Sequence, residues 1–374
     1  MRGHCFVNGV EKHVKCAYVG VNGKAQYIKR PPGIIKYGGY VENLKSRRVY
    51  PKTATVGDYA LFTCGYTTNN TKPSTAIVYD SSLIETEING PYNTISGGMG
   101  VASIGDYALF AGGWTSSASE VDTAIVYDSS LTQRNITNLS VARYSIIGAV
   151  IGDYALFAGG GYGGTNSWKS YDTVDVYDSN LTRSLADTLS SKKRIVASAT
   201  IGDYVLFAGN TGNYQKYIDV YNSSLTRTAS INLSDVRREF TSASLNNYAL
   251  FAGGCPKAFE YIDIVDAYDS ALTMTQPSVL SIGRSNSSAT VIANHALFGS
   301  GQINTSSDSH TDIVDVYDSS LSRTSAPNLN IKSYSPGAVT LNNYAIFAGG
   351  YINNASPNIT DIVTVYTYND GYIP

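Results

Sequence analysis

The amino-acid sequence predicts an all-β, seven-bladed β-propeller with a small N-terminal β-hairpin extension, on three observations. The phrase "SIIGAVIGDYALFAGG" at residues 145–160 returns in near copies along the chain. Its two alternating apolar runs, joined by two turn residues, are the pattern of a β-hairpin. The turns begin at residues 57, 105, 152, 202, 246, 293 and 342, at spacings of 44 to 50 residues, which marks seven units. Each unit carries a second landmark, Val-Tyr-Asp or a near copy, from "AIVYDSSL" at 76–83 to "VTVYTYND" at 363–370. One unit therefore holds four strands A to D, the content of a propeller blade.

Strands A and B enclose the tight turn. Gly152-Asp153 suits a type II′ turn, and the Asn pairs at 246–247 and 342–343 suit type I′. A loop of varying length leads to strand C, and a Ser-rich turn leads to strand D. An isolated hairpin is marginal in water, so stability has to come from stacking the units. A closed ring gives every blade a neighbour on both faces. Small residues such as Gly148, Ala149, Ala158, Gly159 and Gly160 allow close approach near the centre, while Leu156, Phe157, Val176 and Tyr177 fill the widening space between blades. An open β-solenoid would have no use for that taper. Closure is predicted from the termini. Leu44 precedes Gly57 by thirteen residues, as Leu139 precedes Gly152, so "IKYGGYVENLKSRR" at 35–48 occupies a strand D position. Residues 35–43 are expected to pair with the last strand C near 363–366. The domains are then 1–33, an attachment hairpin segment, and 34–374, the propeller.

The repeated turn, the double glycines at 112–113, 159–160, 253–254 and 349–350, and the basic residues between blades, Arg48, Arg143, Lys193, Arg237 and Arg284, resemble kelch-type propeller repeats. The pattern departs from that family at Cys64-Gly65, Gly209-Asn210 and Ser300-Gly301, and lacks the Trp that usually follows strand C. Near the start, "VKCAYVGVNGKAQYIKR" at 14–30 alternates around Asn22-Gly23, a strong hairpin signal. It resembles small hairpin segments in tail proteins of phages, and phage-derived particles, of Gram-positive bacteria. That resemblance implies attachment through Tyr18, Asn22 and Gly23 to other tail or baseplate subunits.

The 43% hydrophobic and 15% charged composition is that of a folded chain, and a net charge of -2 gives no reason to expect nucleic acid. The basic patch Lys45, Arg47, Arg48 and Lys52 reads as a solvated edge. Neither a membrane-spanning run nor the apolar core of a signal peptide is found. Cys5, Cys16, Cys64 and Cys255 form no close metal pair and are expected as reduced or isolated thiols.

The A–B and C–D turns share one face and are monotonous, whereas the B–C loops on the other face vary in length and chemistry. Their rings Tyr66, Trp114, Trp168, Tyr171, Tyr217, Phe259 and Tyr351 form the expected ligand-binding face, suited to a bacterial cell-surface glycan or protein. Reagents for catalysis look scarce. His4 and His13 lie outside the ring, His295 occupies a turn and only His310 falls on the varied face. No Ser-centred elbow or His/Cys cluster is evident, and the regularly placed Asp122, Asp172, Asp263, Asp312 and Asp361 suit loop capping. The expectation is a non-enzymatic binding propeller for host-surface receptor recognition in a phage tail fibre, baseplate or tail-like particle. It would be made in the host cytoplasm and carried in the particle, with no cofactor, metal or membrane insertion. A structural scaffold or protein-interaction subunit, and an axial-site enzyme, are the alternatives.

Overall fold

Alternation along strands A and B produces a hairpin in every unit, and the third blade shows how the rest follows. Ile147–Ile151 pairs with Tyr154–Ala158, which pairs with Val174–Asp178, which pairs with Arg183–Leu185, all antiparallel. Seven such four-stranded sheets are present. Their inner strands are Lys52–Val56, Gly100–Ile104, Ile147–Ile151, Ala197–Ile201, Thr241–Ser244, Ser288–Ile292 and Gly337–Leu341. Each inner strand lies against that of the next blade and the seventh lies against the first, so the ring is closed. The structure, a computed structural model, describes residues 4–7, 10–13, 17–21, 24–28, 34–67, 73–91, 95–115, 119–164, 167–209, 215–306, 309–352 and 358–369. For residues 4–28, 95, 96, 164, 167 and 168 within that set it describes the backbone only.

Closure uses the N-terminal strand, in a register shifted from the expected one. Ile34–Tyr37 is the outer strand of blade seven, pairing Tyr37 with Tyr366 and Ile34 with Asn369, and the Gly38 amide donates to the Val365 carbonyl at 2.8 Å. Residues beyond Gly38 turn inward instead of continuing the ladder, because Val41 and Leu44 are buried in the core between blades one and seven. Before this strand, His4–Val7 pairs with Val10–His13, and Ala17–Val21 with Lys24–Ile28. The Asn22-Gly23 turn itself lies outside the described residues.

Packing between blades is apolar and repetitive. Leu156, Ala158, Val174 and Val176 of blade three meet Val205, Phe207 and Tyr221 of blade four. The strand C tyrosines are fully buried and each finds a polar partner, as a buried hydroxyl must. Tyr177 donates to the Thr137 carbonyl at 2.7 Å and Tyr221 to the Asp187 carbonyl at 2.9 Å, bonds that cross from one blade to the connection leaving its predecessor. In the C–D turn, the Asp178 carboxylate accepts the amides of Asn180 and Thr182 at 2.9 and 2.8 Å. Leu181 there adopts a φ of 62°, a left-handed strain offset by burial against the preceding blade.

The expected basic residues between blades occupy buried sites, with partners that complete the motif. Arg143 meets Asp175 at 2.7 Å, Lys193 meets Asp219 at 2.6 Å, Arg237 meets Asp266 at 2.7 Å and Arg284 meets Asp315 at 2.8 Å, all with fully buried side chains. Each Asp is the second residue of a Val-Asp-Val-Tyr-like strand C. Blade seven uses the neutral pair Ser333 and Thr364 at these positions. In blade one, where Ile77 replaces the Asp, Arg48 donates to the carbonyls of Thr75 and Cys64 at 2.9 and 3.4 Å. Burial without a carboxylate lowers its pKa to about 10. Arg48 is therefore core and Lys52 is half-buried, so the reading of the basic patch as a solvated edge holds only for the exposed Lys45 and Arg47. The burial of Arg48 is invisible to a charge count, which does not register which way the chain faces.

Two turn expectations are also corrected. Neither Asn246 nor Asn247 takes a positive φ, and only the first residue of the Asn342-Asn343 pair does. The type I′ pattern, positive at both residues, occurs instead at Ala293-Asn294, with φ of 45° and 57°. An alanine in this region is strained. Ala293→Gly is expected to raise the unfolding free energy by up to about 1 kcal/mol, seen as a higher urea midpoint; an unchanged or lower midpoint would show that the turn is not strained.

Candidate functional site at the mouth of the axial passage

The connection from strand D to the next strand A shapes one mouth of the axial passage. After its buried base, the chain pairs with the residue following the Gly-Gly segment: Val49 with Tyr66, Tyr144 with Gly161, Arg238 with Cys255, Ser285 with Gln302, and Tyr334 with Tyr351 after Ser333. The next residue then turns toward the axis with a positive φ: 56° at Tyr50, 55° at Ser145, 58° at Glu239, 51° at Asn286 and 50° at Ser335. On one side these corners are joined in series. Asn286 donates its amide to the Glu239 carbonyl at 2.9 Å, Ser335 to that of Asn286 at 2.8 Å, and Tyr50 to that of Ser335 at 3.2 Å. Left-handed non-glycine corners cost free energy unless the surroundings over-determine them. Here an inter-blade hydrogen bond does so at three in succession.

These corners enclose a cavity of about 350 Å³ whose lining includes Tyr50, Lys52, Glu239, Phe240, Asn286 and Ser335. Glu239 supplies its only carboxylate among the described lining residues. Glu239 Oε2 is approached by Asn286 Nδ2 at 3.1 Å and by the Ser285 hydroxyl and Cys255 thiol at 3.4 Å, and Oε1 lies 3.4 Å from Arg238 Nε. Burial pushes the Cys255 thiol up to about 11, so it stands beside the carboxylate as a neutral donor. The Tyr50 phenol is also pushed up by burial and shares hydrogen bonds with the side chains of Tyr334 and Ser335. Behind Tyr50, Tyr334 packs on Tyr351 at 5.0 Å and on His310 at 4.8 Å between ring centroids. His310 Nδ1 lies 3.1 Å from the Ile352 carbonyl oxygen. This wall positions Tyr50, Glu239 and hydrogen-bonding amides and hydroxyls around one small space, an arrangement able to orient a polar molecule and exchange protons with it.

The predicted ring residues divide. Tyr351 belongs to the wall just described, and Trp114 is half-buried, stacked on Tyr144 at 5.7 Å and 19°. Tyr66 and Tyr171 are half-buried, with their backbones tied to Val49 and Gly160. Tyr217 and Phe259 project, at 51% and 79% exposure. Trp168 pairs with Gly163 in a loop hairpin, and its side chain lies outside the described residues, as do the side chain of Tyr18 and all of Asn22 and Gly23. Tyr50, Lys52, Glu239, Asn286 and Ser335 were missed. A signal was present: the second residue after each inter-blade base or its counterpart changes through Tyr, Gly, Ser, Ile, Glu, Asn and Ser around the ring, whereas the strands that follow repeat.

Among the described residues, no group of three or more His, Cys, Asp or Glu side chains is placed to hold a metal ion, and no helix is long and apolar enough to cross a membrane. Cys64 and Cys255 are free.

No family model matches the chain, and no curated protein does. Many solved structures match, among them that of YjhT, with a TM-score of 0.56 and 11% sequence identity over 88% of this chain and 99% of that one. The likeness shows a β-propeller fold. It overturns the reading of the chain as a strictly non-enzymatic receptor-binding component of a phage tail. The match runs through almost the whole propeller and gives the tail, host-recognition and viral assignments no support, so these and the exclusion of catalysis are withdrawn. Propeller architecture sets a scaffold and leaves the chemistry to the site grafted on it. The exclusion rested on surveying residue types along the chain, which does not reveal that Tyr50, Lys52 and Glu239 converge on the axis.

Proposed function

We propose that this propeller is an axial-site enzyme that binds a small polar molecule at the mouth of the passage and moves a proton on it, with Glu239 as the proton-accepting group. The observation that carries this reading is Glu239 itself, the carboxylate of the cavity, held on a strained corner and braced by Asn286, Ser285 and Cys255. A volume of about 350 Å³ suits a molecule of monosaccharide size. The double glycines and buried bases support a kelch-type kinship within the propellers.

The test is thermal unfolding against a panel of monosaccharides, polyols and small keto and hydroxy compounds, followed by NMR of any compound that stabilises the protein. A compound present at a hundred times its Kd raises stability by about 2.7 kcal/mol. That gain is expected in the natural protein and in Glu239→Gln, and lost in Asn286→Trp, which fills the mouth. Turnover is expected to fall by about 10²- to 10⁴-fold in Glu239→Gln. A panel that stabilises nothing, or stabilises the filled-mouth variant equally, would remove the axial site.

A second reading, a protein-interaction surface on the loops of blades four and five, is favoured by the exposure of Phe259 and Tyr217.

A further inference from the structure

We propose that Lys52 is an amine nucleophile, capturing a small carbonyl compound as an imine at the axial mouth. The inference rests on the small-molecule site above and deepens it, by naming the substrate class as an aldehyde or ketone.

Lys52 opens strand A of blade one. The equivalent residues of the other blades are Gly100, Ile147, Ala197, Thr241, Ser288 and Gly337, so one amine interrupts an otherwise neutral ring of positions. Lys52 lines the mouth cavity that Tyr50 and Glu239 also line, and the axial passage of about 310 Å³ that continues from it. Among the described residues its side chain has no ion pair or hydrogen bond. The contrast with Lys193 is direct: that lysine, buried for structure, meets Asp219 at 2.6 Å. A lysine without a carboxylate in a poorly solvated site loses part of the stabilisation of its charged form, and a larger fraction is free amine. Burial does push the Lys52 ammonium below the ordinary lysine range, opposed only by the nearby Cys64, whose thiol burial keeps neutral. These are the conditions under which lysines become nucleophiles.

The step needs no oxidant or reductant. The Nζ lone pair adds to the carbonyl carbon, the carbonyl π pair moves to oxygen, and that oxygen takes a proton as nitrogen loses one, giving a carbinolamine. A second proton reaches the hydroxyl, which leaves as water while the nitrogen lone pair forms the C=N bond; loss of the remaining N–H proton gives the neutral imine. Amine and carbonyl thus become imine and water. Glu239 and Tyr50, on the same cavity, are the groups available to pass these protons.

The experiment exposes the full chain at pH 7 to glycolaldehyde with sodium cyanoborohydride, which reduces an imine to a stable hydroxyethyl-lysine, and follows each lysine by peptide mass spectrometry. Lys52 is expected to be modified several-fold faster than the exposed Lys192, and faster still than Lys257, whose ammonium is held charged by Glu260 at 2.7 Å. Filling the mouth with Asn286→Trp, in protein shown by circular dichroism to be folded, is expected to slow Lys52 and leave Lys257 unchanged. Modification of Lys52 at or below the rate of Lys192, or a rate indifferent to the filled mouth, overturns the proposal. The two readings fail separately. Binding of a panel compound without rapid modification removes the imine and keeps the acid–base site, whereas rapid modification without any stabilising compound keeps the amine and removes that site.

Discussion

Removal of residues 1–43 is expected to open the ring, giving a protein that loses its cooperative thermal transition and aggregates, whereas removal of residues 1–30 leaves that transition within about 2 °C. The two truncations differ by the strand Ile34–Tyr37 and the segment that follows it. Without them the edge of Val363–Asn369 in blade seven is unpaired, and an open strand edge invites association. Packing is lost as well. Tyr37 stacks on the fully buried Tyr366 at 5.7 Å, Val41 lies in the core between the first and last blades, and the Glu42 carbonyl accepts the Tyr79 hydroxyl at 2.9 Å. Among the described residues, the strands within 4–28 pair only with one another. Circular dichroism melts and size-exclusion chromatography of both truncations would decide the matter, and coincident melts would refute closure by this strand.

The second large effect is expected at a buried ion pair. Asp315 accepts from Arg284 and Arg323 at 2.8 Å and from the Ser281 hydroxyl at 3.0 Å, with its own side chain fully buried. Asp315→Asn leaves Arg284 charged and uncompensated in the core, which costs about 3–5 kcal/mol. Blade seven suggests the remedy. There Ser333 and Thr364 stand where the ion pair would be, and Thr364 Oγ1 accepts the Asn330 amide at 3.0 Å, the role that Asp315 performs for the Ser281 amide. The ionic version is also imperfect, since Nε and Nη1 of Arg284 are buried without partners among the described residues. The double substitution Arg284→Ser with Asp315→Thr is therefore expected to cost less than half of what Asp315→Asn costs. Urea unfolding of the single and double variants measures this. A double-variant loss equal to the sum of Arg284→Ser and Asp315→Thr measured singly would show that the two residues are not coupled.

Blade count, strand order within a blade and the identity of the closing segment were legible because each rests on a short-range pattern repeated seven times. The alternation around Gly152-Asp153, the Val-Tyr-Asp landmark and the offset of Leu44 from Gly57 all report local backbone geometry. The Arg284–Asp315 partnership was half legible. The base was singled out, and its Asp was available in the contrast between "VDVYD" and "AIVYD", but the two lie about thirty residues apart and only the packing of strand C against the D–A connection brings them together.

The candidate site was not legible for a different reason. Trp114, Tyr217 and Phe259 drew attention because large rings in variable loops are conspicuous, yet Trp114 packs on Tyr144 within its own face, and Tyr217 and Phe259 project outward. Tyr50, Lys52, Glu239, Asn286 and Ser335 come from four separate repeats, and each is unremarkable in its own stretch of sequence. Repetition by itself determined a ring of seven blades, since every unit has to bury two faces and only its neighbours are available to cover them. The tertiary structure alone decided which side chains reach the axis, because that depends on the left-handed corner after each D–A connection and on closure of the ring, neither of which a single repeat encodes.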